Sequence, residues 1–303
     1  MLTLWKNLHV QAGGMCAGIG HSPSLPITRN ILEAVFDDAC MRKKGGIREY
    51  RVLDIGASPA PILALIIQFM YNHETLKPKE QLPLVTVTAL DVAPLNKGVN
   101  LNADPAATKG LKYVQGDAHA LPFANNRYHA VILSTTLEYL KNKEKALREA
   151  RRAMSNDGLL YLILHSAKSK LPDRLRKMAK DEKRVFRLID KCNEGKADEN
   201  HVIAEIARTG IYRRFNFSSP VAMLAEYYFS PRKQEAVKQM IAENVFDKHK
   251  QLANQIEKGR FKSLNNAKRF LRDGGFKHEK TVIDRDKDGS EFWCITARKI
   301  PRA

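Results

Sequence analysis

From Tyr50 to His165 the chain alternates short β-branched runs with helical stretches, and this alternation constrains its fold more than any other feature. YRVLDIG, LVTVTALDV, KYVQGD, HAVILSTT and LLYLILH read as five strands. ILALIIQFMY follows the first strand as a helix. EKALREARRAMSNDG precedes the fifth as a second helix, with Gly158 as its stop signal. Such repetition implies a parallel sheet with helices on both faces.

The flanks read differently. Up to Pro26 the sequence is Gly-rich and weakly periodic, which predicts a mobile arm; ITRNILEAVFDDACM then reads as a helix with Thr28 as N-cap. From Ser166 to Lys262 the pattern is helical throughout, with candidate helices Pro172–Cys192, Asn200–Arg208, Pro220–Phe229 and Pro231–Lys258. Strand chemistry returns after a helix at Leu264–Asp273: FKHEKTVID and SEFWCITARK flank a DKDG hairpin turn. The expected organisation is an N-terminal arm and helix (1–46), an α/β core (47–165), a helical insert (166–262) and a C-terminal helix and hairpin completing the core (263–303). At roughly 100–200 residues per domain, 303 residues suit one main domain with a large insertion.

Apolar residues make up 44% and charged residues 28%, which excludes disorder and fibrous architectures as global descriptions. The longest uncharged, mostly apolar run, Pro59 to Tyr71, is well short of the ~20 residues that cross a bilayer, so it reads as a buried helix. Cys16, Cys40, Cys192 and Cys294 lie far apart with no CxxC, which argues against disulfides and a structural metal and predicts a cytoplasmic setting. The N-terminus is a poor signal peptide, its apolar stretch broken by Gln11 and glycines. The net charge of +18 points to acidic partners.

In an open parallel sheet the ligand sits beyond the carboxyl ends of the strands, where strand order reverses. Three strands deliver an acid there: Asp54, Asp91 and Asp117. Asp54 is followed by a small-residue loop, Gly56-Ala57-Ser58-Pro59-Ala60, that lets a ligand approach the backbone. An acid ending the second strand can bond both hydroxyls of a ribose, and one ending the third can accept from an exocyclic amine. A nicotinamide dinucleotide fits less well, because this loop has one glycine and Asp54 would repel a diphosphate.

These residues resemble the class I S-adenosylmethionine-dependent methyltransferases. VLDIGASPA, VTALDV, VQGDAHALPF and STTLEYL look like four successive motifs of that family, and LREARRAMSNDGLLYLILH like the helix and strand that follow. The resemblance covers about half the chain. It implies a doubly wound, mostly parallel seven-stranded α/β sheet with an antiparallel last strand and a helical insert, or lid, after the fifth strand. It also implies S-adenosylmethionine held by Asp54, Gly56, Ala57, Ser58, Asp91, Val92, Asp117, Ala118 and Ser134. Asp54 would face the ammonium, Asp91 the ribose and Asp117 the adenine. The loop departs from the family, which usually carries glycine where Ser58 and Ala60 stand. Where some members carry Glu-His at a metal site, this chain has Glu138-Tyr139 and no matching acid cluster, so no metal is expected.

If the acceptor is a hydroxyl or protonated amine, a base is required, and His165 or Glu138 are the candidates; His21 is a weaker one. The expected acceptor is an organic small molecule enclosed by the insert, with Tyr139, Tyr227 and Tyr228 as candidate walls. The insert also holds 22 Lys and Arg against 13 Asp and Glu. Arg174, Lys177, Arg184 and Arg187 could line up against phosphates, which leaves tRNA or rRNA as an alternative substrate. A third reading is a non-catalytic cofactor-binding protein of the same fold. Oligomeric state is not legible. Binding to bulk tRNA that falls steeply between low and moderate salt is the outcome expected for the RNA reading; flat, negligible binding removes it.

Overall fold

The computed structural model describes residues 26–57, 62–72, 78–94, 108–214, 217–228, 230–243, 247–285 and 291–301. The expected N-terminal arm with His21, the loop residue Ser58 and the DKDG turn lie outside the described residues. The described residues divide into two compact units, one of 170–258 and one of 26–169 with 259–301.

The larger unit opens with helix α1 (Pro26–Lys44), strand β1 (Glu49–Ile55) and helix α2 (Ile62–Asn72). Strands β2 (Leu84–Asp91), β3 (Leu111–Gln115) and β4 (Tyr128–Ser134) follow, then α3 (Lys143–Ala153) and β5 (Met154–His165). The insert contributes α4 (Leu171–Asn193), α5 (Glu199–Thr209), α6 (Ile211–Arg214), α7 (Pro220–Tyr228), α8 (Pro231–Ala242) and α9 (Asp247–Gly259). The chain then returns through α10 (Leu264–Asp273), β6 (Phe276–Arg285) and β7 (Glu291–Lys299).

The seven strands form one sheet in the order β3-β2-β1-β4-β5-β7-β6. β1 to β5 run parallel, and β7 lies antiparallel to both β5 and β6. Every residue of β4 is buried, as a strand covered on both faces requires. Alternation along the strands sorts their side chains. Leu53, Ile55, Val131, Leu133, Leu160, Leu162 and Leu164 pack with Ala146, Leu147 and Ala150 of α3 and Ala267 and Leu271 of α10. The order reverses between β1 and β4, which puts the switch point at the end of β1.

Two sequence expectations are corrected. MSNDG does not finish a helix: α3 ends at Ala153, and Met154 already pairs with Tyr128. Ser155, Asn156 and Asp157 are poor helix formers that compete for backbone hydrogen bonds. Asp157 takes φ +60°, and the register then jumps to Ala130 opposite Leu159. A Cβ on Gly158 would stand 2.9 Å from the Ser155 carbonyl, so this bulge needs glycine. The long helix expected over Pro231–Lys258 is two helices. α8 closes where the Glu243 N–H reaches the Gln239 carbonyl, and α9 begins with Asp247, an acid at a helix N-terminus.

The insert has its own core. Val185, Phe186 and Ile189 of α4 meet Val202 and Ile206 of α5, Met223, Leu224 and Tyr227 of α7, and Val237 of α8. α5 starts at Asp198, whose side chain accepts from the His201 N–H at 2.8 Å, and stops at Gly210 with φ +64°.

Asp38 ties α1 to β1. It is 3% exposed and accepts from Arg42 Nε and Tyr50 Oη, both at 2.7 Å. Asp38→Ala strands the buried Tyr50 hydroxyl and should cost about 2–4 kcal/mol in urea unfolding, with Asp38→Asn recovering part of it. A loss under about 0.5 kcal/mol in the alanine variant would show the bond to be dispensable.

Candidate active site

The site is built by hydrogen bonds that stitch neighbouring strand ends together. After β1 the backbone turns sharply at Gly56, φ +72°, and the Gly56 and Ala57 amides both donate to the Leu90 carbonyl, at 2.8 and 3.0 Å. Gly116 donates to the Asp91 carbonyl at 2.8 Å, which joins the exit of β3 to the end of β2. Thr136, beyond β4, reaches the Gly56 carbonyl at 3.4 Å and the Ser134 carbonyl at 3.0 Å through its hydroxyl. Its side chain fills the space a Cβ on Gly56 would need. Glycine is therefore required there twice over, by dihedral and by contact.

This stitching places the sequence-derived acids along one sheet edge. Asp54 lies opposite Ala89 of β2 and Ile132 of β4, at the switch point. It is 2% exposed, and its Oδ1 has no hydrogen-bond partner among the described residues. Burial, with a smaller push from the Asp91 charge, raises its pKa from the usual carboxylate value to about 7. A buried carboxyl left unpaired is costly, and a cationic partner would relieve it.

Asp91 is half-buried, and its Oδ1 accepts from the Ala93 N–H at 2.9 Å, forming an Asx turn. Val92 beside it is 73% exposed, an apolar side chain held in solvent at the strand exit. Asp117 lies two residues past β3 rather than on it. Its Oδ1 accepts from the His119 N–H at 2.8 Å and meets His119 Nδ1 at 2.7 Å. These bonds hold its pKa below the usual range, the backbone N–H contributing most. Ala118 and Ser134 are buried.

Glu138 and His165 come together although 27 residues separate them. Glu138 lies on a short 3-10 turn, Leu137–Tyr139, and His165 ends β5. Glu138 Oε1 accepts the His165 backbone N–H at 2.6 Å and stands 3.3 Å from Nδ1. Both side chains are fully buried. Phe292 of β7 covers the imidazole at 4.9 Å between ring centroids. Among the described residues Glu138 Oε2 and His165 Nε2 have no hydrogen-bond partner. A Cβ on Gly259 would run into the Glu138 carbonyl, so the chain returning from the insert packs directly on this turn.

The remaining candidates are placed as follows. Tyr139 is half-buried, and burial and the Glu138 charge push its hydroxyl pKa up. Arg174 is half-buried and Lys177 exposed on α4. Arg184 is engaged by Glu205 at 2.6 Å and Asp181 at 3.8 Å. Tyr227 is buried in the insert core between Phe186 and Phe217, and Tyr228 is half-buried. Among the described residues no group of three or more His, Cys, Asp or Glu could hold a metal ion.

Sequence reasoning missed Thr135, Thr136 and Phe292. Thr135 sits at φ +49°, strained for a β-branched residue, and turns the chain from β4 towards Glu138. No local signal announces such a dihedral. Phe292 faces His165 through the β5–β7 register, which was legible only once that pairing was fixed.

The Asp54 shift has a signed consequence for stability. Near pH 4 and below, the carboxyl is protonated in both folded and unfolded chains. Between about pH 4 and 7 the unfolded chain ionises while the folded one keeps its proton, so stability falls as pH rises. Asp54→Asn removes that penalty. The variant should melt higher than the parent at pH 8, by several degrees, and no higher at pH 4, in paired thermal scans without ligand.

Residues 72–162 match a family model described as a methyltransferase domain. A ubiquinone/menaquinone biosynthesis C-methyltransferase, UbiE, of Legionella pneumophila is 30% identical over 37% of this chain and 41% of its own length. The UbiE of Klebsiella pneumoniae is 41% identical over 18% of this chain and 21% of its own. The chain thus spans less than half the length of these curated relatives. Among solved structures, a SAM-dependent methyltransferase of Methanosarcina mazei aligns at TM-score 0.42 and 11% identity, over 86% of this chain and 98% of that one. With the domain match and the strand order in place, the chain carries the fold of the class I S-adenosylmethionine-dependent methyltransferases.

Proposed function

We propose that this chain transfers a methyl group from S-adenosylmethionine to an organic small molecule. The observation that carries the proposal is the buried Asp54 carboxyl at the switch point of the sheet, whose Oδ1 has no hydrogen-bond partner among the described residues. S-adenosylmethionine supplies an electrophilic methyl group on a positively charged sulfur, and its methionine end carries an ammonium. Asp54 is assigned to that ammonium and Asp91 to the ribose hydroxyls. Val92, Asp117, Ala118 and Ser134 are assigned to the adenine side. Gly56 and Ala57 spend their amides on Leu90, so their part is a close backbone approach rather than hydrogen-bond donation.

The chain's own contribution to the reaction is alignment. A nucleophile held in line with the S–CH₃ bond gains up to ~7–11 kcal/mol from proximity and orientation. The helical insert, entering directly after β5, is assigned to enclosing the acceptor by its place in the chain. The RNA reading has weaker support, since Arg184 is taken by acids of the insert and Tyr227 is packed in its core.

Isothermal titration with S-adenosylmethionine tests the cofactor. Affinity should rise by up to about tenfold per pH unit from pH 5 to 7, as Asp54 gives up its proton, and then level off. Asp54→Asn should bind at least tenfold more weakly at pH 7 and lose this pH dependence. No heat from the parent protein at high concentration would sink the proposal. Transfer of a labelled methyl group to a panel of phenols, amines, thiols and bulk tRNA then identifies the acceptor class; transfer to tRNA alone would overturn the small-molecule assignment.

A further inference from the structure

We infer that Glu138 and His165 form a single proton-accepting unit, in which His165 Nε2 takes the proton of a phenolic or enolic acceptor and Glu138 positions the ring. The inference rests on the methyl-transfer reading above and extends it to the acceptor's chemistry. An ionised carboxylate only accepts hydrogen bonds. Glu138 Oε1, 3.3 Å from Nδ1, therefore assigns the imidazole proton to Nδ1 and leaves the lone pair on Nε2. The same oxygen takes the His165 backbone N–H at 2.6 Å, so one residue's two donors fix the carboxylate and the carboxylate fixes the ring. Phe292 restrains the ring from the β7 side.

Among the described residues two buried polar atoms of the pair have no hydrogen-bond partner, Nε2 and Glu138 Oε2. A buried lone pair without a donor is what a base presents before its substrate arrives. A phenol or enol is far more acidic than an aliphatic alcohol, so its proton can pass to an imidazole as the new bond forms. An acceptor with no proton on its attacking atom would not use the unit.

In the step itself, the acceptor O–H or enolic proton moves to Nε2, and the electron pair freed on the acceptor makes the new bond to the methyl carbon. The S–CH₃ bond breaks with its pair staying on sulfur. The imidazolium that results faces the Glu138 carboxylate, and its proton leaves to solvent with the product.

The first test needs neither cofactor nor acceptor. Nitrogen-15 NMR of the full chain with labelled histidine should show His165 protonated on Nδ1 and bare on Nε2 at neutral pH, and Glu138→Ala should move the proton towards Nε2. A parent protein with the proton on Nε2 overturns the inference. The second uses catechol and a tertiary amine as probe acceptors. His165→Ala should lower kcat for catechol by about 10²–10⁴-fold and leave S-adenosylmethionine affinity unchanged by titration. Added imidazole should restore part of the rate, and Glu138→Asp should retain more of it than Glu138→Ala. Unchanged turnover of catechol in His165→Ala overturns the base, and a parent that binds cofactor yet methylates only the tertiary amine overturns the acceptor class. A parent that binds no cofactor counts against methyl transfer itself and leaves the NMR result to judge the pair.

Discussion

A carboxyl group held out of water with one oxygen unsatisfied is the constraint around which the larger unit is arranged. Asp54 sits between β2 and β4, where the sheet reverses its order, and its Oδ1 has no hydrogen-bond partner among the described residues. The surrounding backbone is fixed by bonds that have no role in sheet pairing: Gly56 and Ala57 to Leu90, Gly116 to Asp91, Thr136 to Gly56. They join the exits of β1, β2, β3 and β4 to one another. Burying Asp54 costs stability, and such costs are common at functional positions.

Much of this was legible in the sequence because it depends on period and punctuation. β-branched runs ending in Asp, with small residues or turns behind them, gave strands, sheet edge and acids together. The hairpin of β6 and β7 was likewise readable from its alternation. What failed had local propensity on its side. MSNDG followed a strong helical pattern, and only tertiary bonds, such as Lys299 Nζ to the Met154 carbonyl at 2.6 Å, reveal it as the start of a strand. The break between α8 and α9 was hidden because both segments share one helical composition.

The candidate site was legible to a similar depth. Residue types named Asp54, Asp91, Glu138 and His165, yet their energetic states depend on neighbours far away in the chain. That Asp54 Oδ1 lacks a partner among the described residues while Asp117 is already engaged by His119 cannot be read from two similar strand-end acids. Neither can the approach of Glu138 to His165, which needs the left-handed Thr135 to turn the chain. The aromatic and basic residues of the insert show the opposite limit. Tyr227 and Arg184 have the chemistry of a binding surface, and packing and ion pairing account for both.

The position of β7 sets a schedule for biosynthesis. β5 gains its second neighbour only from Glu291–Lys299, after the whole insert has left the ribosome. Until then the largely apolar run Leu159–Leu164 of that strand presents an open edge in the nascent protein. The insert, with a core of its own, can collapse during that interval, while the sheet waits for a contact of long sequence separation. The same late strand brings Phe292 against His165, so the sheet and the surroundings of that imidazole are completed in one event.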